Sequence, residues 1–106
     1  MEHKLIVSGA GSWRYVDCVS AQAGKLESLE YVRKHFKMPR ERTVACGDSG
    51  NDVLMLGGKH CSVIVGNCQP DLLTWHLQQP QDGKCILADA SGAAGILEGL
   101  ARLQLY

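Results

Sequence analysis

Between Thr43 and Leu103 the chain repeats one pattern three times, and that repetition limits its fold more than any other feature. A run of three or four residues, nearly all apolar, thiol or β-branched, comes first: Thr43-Val44-Ala45-Cys46, Ser62-Val63-Ile64-Val65, Cys85-Ile86-Leu87. A turn bearing glycine, asparagine or aspartate follows, and then a stretch of helical period. Runs this short read as buried strands rather than helices. Strands alternating with helices imply βαβ units, a parallel sheet and right-handed crossovers, so the expected class is α/β.

The remaining segments fit around that unit. Leu5 to Val7 and Trp13 to Val19 have strand character and flank the turn Ser8-Gly9-Ala10-Gly11-Ser12. From Gly24 to Lys37 the residues Leu26, Leu29, Tyr31, Val32 and Phe36 recur at helical spacing, Glu30 precedes Lys34 by four, and Pro39 closes the segment. Helices are also expected after the turn Gly47-Asp48-Ser49-Gly50, through Leu56 and stopping at Gly57-Gly58, from Pro70 to Gln78, and from an Asp89 or Ser91 cap to Leu103. At 106 residues the chain has room for about one domain.

Composition removes several classes of function. Eleven Lys and Arg balance eleven Asp and Glu, which leaves no positive field for nucleic acid. The most apolar stretch, Cys61 to Pro70, is about half of the ~20 residues a spanning helix needs, so no membrane role is expected. The amino-terminal residues lack the apolar core and cleavage site of a secretory signal. Five cysteines form an odd set with no Cys-x-x-Cys pair, which points to free thiols in a reducing, cytoplasmic setting. His60, Cys61 and Cys68 lack the paired spacing of a zinc site.

The densest chemical signal is Ala45-Cys46-Gly47-Asp48-Ser49-Gly50-Asn51-Asp52, at the carboxyl end of an expected strand, where open α/β sheets build their ligand sites. Asp48 and Asp52 lie four apart and suit a hard cation such as Mg²⁺; helix capping would account for one of them. Gly-Asp-Ser-Gly also surrounds the nucleophile of chymotrypsin-like proteases, but those are all-β double barrels. Lys25 opens a helix beside the positive end of its dipole, an unfavourable position unless an anion compensates. Gly9-Ala10-Gly11 lacks the third glycine and the helix of a dinucleotide site. Trp75 is expected in the core, and His76 has no local partner to make it a base.

Three stretches together carry a resemblance: Ala23-Gly24-Lys25 opening a helix, Cys46-Gly47-Asp48-Ser49-Gly50-Asn51-Asp52, and Gly66-Asn67-Cys68-Gln69 with Leu72-Leu73-Thr74-Trp75-His76. Their order and spacing resemble the carboxyl-terminal part of sucrose-phosphate phosphatases in the haloacid dehalogenase superfamily. The resemblance implies a Rossmann-like parallel sheet with flanking helices and Mg²⁺-assisted hydrolysis of a phosphate monoester through an aspartyl-phosphate, with sucrose 6-phosphate as the characteristic substrate in sucrose biosynthesis. It implies that Lys25 steadies the attacking carboxylate and the phosphoryl group. Asp48 and Asp52 become the Mg²⁺-side acids, Ser49 and Asn51 shape the loop, and Asn67 lies near the phosphate.

The sequence departs from the family at two points. Leu26 stands where the family has Gly after the motif lysine. The Asp-x-Asp that carries the family's nucleophile and general acid occurs nowhere in these residues. The expectation is therefore a fragment: residues 1–20 a β-hairpin remnant of the cap domain, residues 21–106 the carboxyl-terminal half of the core. Without the nucleophile's strand, Thr43 to Cys46 would have an open edge, ready for the missing amino-terminal half or a partner chain. The alternative reading is a non-catalytic α/β module that binds a protein partner through that edge.

Overall fold

The computed structural model describes residues 3–10, 13–20 and 24–105. Strands β1 (His3–Ala10) and β2 (Trp13–Ser20) pair antiparallel, with His3 opposite Ser20 and Ala10 opposite Trp13. The tip of this hairpin at residues 11–12 lies outside the described residues, as does Ala23 of the lysine motif.

Helix α1 (Lys25–His35) leads through a 3₁₀ turn (Arg40–Arg42) into β3 (Val44–Gly47). A second 3₁₀ turn (Gly50–Asp52) and the short α2 (Val53–Leu56) lead to β4 (Cys61–Ile64). Then come α3 (Pro70–Leu77), β5 (Cys85–Leu87) and α4 (Gly92–Arg102). Strands β3, β4 and β5 form a parallel three-stranded sheet in that order, with Val44 beside Cys61 and Ser62 beside Cys85. The α/β class and each expected strand are present. The helix-like stretch expected after Gly50 opens as the 3₁₀ turn and becomes α-helical only at Val53, and the N-cap is Ser49 rather than Asp48.

β4 is the centre of this sheet, and its residues Ser62, Val63 and Ile64 are buried completely or nearly so. The core gathers Ala45 of β3, Leu56 of α2, Ile64 and Leu72 of α3, with Trp75 packed against it. α4 approaches β4 through Gly99, where an added Cβ would lie 2.4 Å from a Val63 methyl. Only a helix face without a side chain there can pack this close.

α1 is the exception to this burial. None of its residues is buried; Tyr31 is 73% exposed, Val32 50% and the adjoining Phe36 68%. Its helical period is as expected, yet much of the apolar stripe has nothing packed on it. Val32 and Phe36 border an open groove of about 530 Å³ shared with Met38, Thr43 and Val44 at the β3 edge. Among the described residues, β3 has no strand on that side.

Candidate active site

The three loops that leave β3, β4 and β5 are bonded to one another at the carboxyl end of the sheet. The Val65 amide donates to the Gly47 carbonyl (3.3 Å), the Gln69 amide to Asp48 (2.7 Å) and the Gly66 amide to Ala90 (2.8 Å). On α4 the Glu98 carboxylate accepts the amides of Asp89 and Ala90, each at 2.9 Å. These amides and the Arg102 guanidinium hold the Glu98 carboxyl below the usual range. Backbone polar groups that would otherwise lack partners thus lock the floor of the site.

Over this floor lies a groove of about 410 Å³ lined by Lys25, Asp48 and Asp52, with Gly92, Ala93 and Ile96 of α4 on its far wall. Asp52 is 4% exposed, and both its oxygens are engaged. Oδ2 accepts the Asp48 amide at 3.0 Å and the Ser49 amide at 3.3 Å, while Oδ1 accepts the Lys25 ammonium. The buried charge is compensated as such a group must be. Gly47 makes this possible, because a Cβ there would sit 2.8 Å from Asp52 Oδ2.

Lys25 therefore has its anion. It also donates to Asn51 Oδ1 at 3.4 Å, and the Ser49 hydroxyl donates to the same oxygen at 2.5 Å. Lys25, Ser49, Asn51 and Asp52 form one chain of contacts. Asp48 differs: its side chain is exposed and has no hydrogen bond or ion pair among the described residues, although it lines the same groove. Asn67 is turned to α4 and outside the groove lining, its Oδ1 accepting the Gly92 amide at 3.1 Å. That bond holds the start of α4, where Gly92 has a left-handed φ of 56°.

Reasoning from the motifs did not single out Gly92, Ala93 and Ile96. The signal was present, because α4 starts where β5 ends and loops at the carboxyl ends of parallel strands share one crevice. Cys46 also lines the groove, but burial pushes its thiol above the ordinary range, so it stays protonated and a poor nucleophile. The thiols of Cys46, Cys61, Cys68 and Cys85 are all free. No three His, Cys, Asp or Glu side chains among the described residues are grouped to hold a metal. A site built here has two carboxylates, with Asp48 the one whose oxygens are unengaged.

A parallel sheet with two acids after β3 and a lysine at the start of α1 beside them is the arrangement of a haloacid dehalogenase-like α/β fold. That fold is shared with a haloacid dehalogenase-like hydrolase from B. subtilis, at a TM-score of 0.61 and 24% identity, over 96% of this chain and 32% of that one. More narrowly, the chain belongs to the sucrose-6F-phosphate phosphohydrolase family, whose model matches residues 2–104. It is 34% identical to probable sucrose-phosphatase 2 of Arabidopsis thaliana and to sucrose-phosphatase 2 of Nicotiana tabacum, in each case over 99% of its own length and 25% of the relative's. It is similar to the sucrose-phosphatase of Synechocystis sp. PCC6803, solved with sucrose and phosphate, at a TM-score of 0.85 and 34% identity. That match covers 96% of this chain and 40% of the solved one. The chain thus spans about a quarter of the length of these curated relatives.

Proposed function

We propose that this chain supplies the metal-side acids and the phosphate-facing lysine of a Mg²⁺-dependent sugar-phosphate phosphatase acting on sucrose 6-phosphate in the cytoplasm. The observation that carries the reading is the convergence of Lys25, Asp48 and Asp52 on one groove at the carboxyl end of the sheet. The names of its relatives support the choice of substrate.

The two carboxylates have distinct tasks. Asp48, with free oxygens facing the groove, holds Mg²⁺ directly; Asp52, saturated by Lys25 and two amides, is set for contact through water. This donor set fits Mg²⁺, which takes one or two protein carboxylates and completes its shell with water and phosphate oxygens. Bound Mg²⁺ would neutralise phosphoryl charge. Lys25 is half exposed and keeps one ammonium donor free beyond its bonds to Asp52 and Asn51, so it can meet a phosphate oxygen from the opposite side. Ser49 and Asn51 hold the ammonium's direction, and Asn67 sets the start of α4 on the far wall. The hairpin of residues 1–20 is the last piece of a substrate-recognising cap, and residues 21–106 are half of the core; β1 passes beside the Gly50–Asp52 turn.

The nucleophile comes from an Asp-x-Asp segment that these 106 residues do not contain. The test is to fuse the chain to the part of the Synechocystis sucrose-phosphatase that it does not cover, and to assay phosphate release from sucrose 6-phosphate with Mg²⁺. Release that disappears with Asp48→Asn supports the reading. A folded fusion that binds neither Mg²⁺ nor phosphate refutes it. The uncovered α1 face and the free β3 edge favour a second reading, a non-catalytic module that docks a protein partner there. Partner binding unaffected by Asp48→Asn would support that alternative.

A further inference from the structure

α1 has no buried residue, and among the core-packed residues it contributes only the partly buried Leu29, so packing alone holds it loosely. The structure offers one concentrated anchor. On the helix face toward the core, the Glu30 carboxylate receives the Arg33 guanidinium from its own helix, Arg40 Nη2 at 3.0 Å from the turn before β3, and His60 Nε2 at 3.1 Å from the approach to β4. These contacts hold the Glu30 carboxyl well below the usual range, at about 2, with the Arg33 hydrogen bond the largest cause. His60 is 2% exposed, and its Nδ1 is buried with no partner among the described residues. Among the described residues the imidazole's only polar link is thus to Glu30. Beside it, Leu26 Cδ1 lies 3.0 Å from where a Gly58 Cβ would be, so the first turn of α1 rests on the loop that carries His60.

We propose that His60 is a positioning residue for Lys25. Glu30 lies five residues beyond Lys25, about 7.5 Å along the helix axis at a 1.5 Å rise per residue. Fixing Glu30 against an immobile imidazole sets both the height and the rotation of α1, and with them the point where the Lys25 ammonium meets Asp52. A helix with a loosely covered apolar face could otherwise slide or turn on the sheet at little cost. The functional weight of this role rests on reading Lys25 as the phosphate-facing cation; the geometric role does not.

The test reads the Lys25–Asp52 ion pair directly in the 106-residue chain, as the coupling across the hydrogen bond between the ¹⁵N-labelled ammonium and the ¹³C-labelled carboxylate. His60→Leu should lose this coupling while the amide resonances of β4 and α4 stay in place. His60→Gln, which returns a donor near the Nε2 position, should restore it. Coupling retained in a folded His60→Leu chain overturns the proposal, as does failure of His60→Gln to restore it. Should His60→Leu not fold, Glu30→Ala is compared with Arg40→Ala, which leaves the His60 link in place: coupling lost in the first and kept in the second supports the role, while coupling kept in the first or lost in the second overturns it. No metal or phosphate is needed, so a failed phosphatase reading, seen as absent Mg²⁺ and phosphate binding, remains separable from a failed positioning role.

Discussion

Asp48 and Asp52 are the same residue type four positions apart, yet their surroundings give them opposite profiles. Asp52 accepts two backbone amides and an ammonium, so Asp52→Ala leaves three donors unpaired and should cost about 1–3 kcal/mol. Asp48 is exposed with no side-chain partner among the described residues, so Asp48→Ala should change stability by less than about 0.5 kcal/mol. Urea unfolding of the two variants measures the difference, and titration with Mg²⁺ should show the reverse emphasis, with binding lost in Asp48→Ala. Gly47→Ala tests the same corner: its methyl would press on Asp52 at 2.8 Å, an overpacked contact that should cost about 1–3 kcal/mol by the same unfolding assay. That Lys25 wants an anion, a phosphate or a carboxylate, was legible in the sequence, since a cation at a helix start is otherwise unfavourable. Which acid it meets was not, because that depends on how α1 is seated, and the seat uses Glu30 and His60, 30 residues apart. Neither belongs to a motif.

At the scale of elements, the strands and helices were legible because period and turn chemistry are local properties. Cys85 to Leu87 coincides with an observed strand, and Thr43 to Cys46 and Ser62 to Val65 each overlap one with a shift of one residue. Burial was less legible: the period of α1 identifies an apolar stripe, but whether Tyr31, Val32 and Phe36 are covered depends on what stands beside β3. Two carboxylates also act between elements, and both titrate low. Glu30 joins α1 to the approaches of β3 and β4, and Glu98 joins α4 to the end of β5. A carboxyl whose folded pKa is depressed contributes stability that is present above the ordinary value of 4.5 and is lost as pH falls through the folded value. Stability should therefore decline as pH falls from about 4.5 toward about 2, the folded value for Glu30. Denaturant midpoints recorded against pH should show this slope, reduced in Glu30→Gln and in Glu98→Gln.

For the molecule as a whole, the sheet is finished on neither flank among the described residues: β4 is enclosed by two neighbours, while β3 and β5 each have one. The β3 flank is the more exposed to association, because the free edge coincides with the groove of Leu29, Val32, Phe36, Met38 and Val44. Unpaired strand edges beside uncovered apolar surface recruit further chain. Arg42 stands at this rim with no side-chain partner among the described residues, so an occupant with an apolar stripe and an acidic border would be complementary. The 106-residue chain in isolation should therefore self-associate as its concentration rises, and the double substitution Val32→Lys with Phe36→Glu should suppress this. Both positions are at least half exposed, so the double variant should keep the thermal stability of the parent. Sedimentation velocity over a hundredfold concentration range reads the outcome. A parent chain that stays monomeric throughout would mean that the β3 flank is shielded, whereas association unchanged by the substitutions would move the sticky surface to the β5 side.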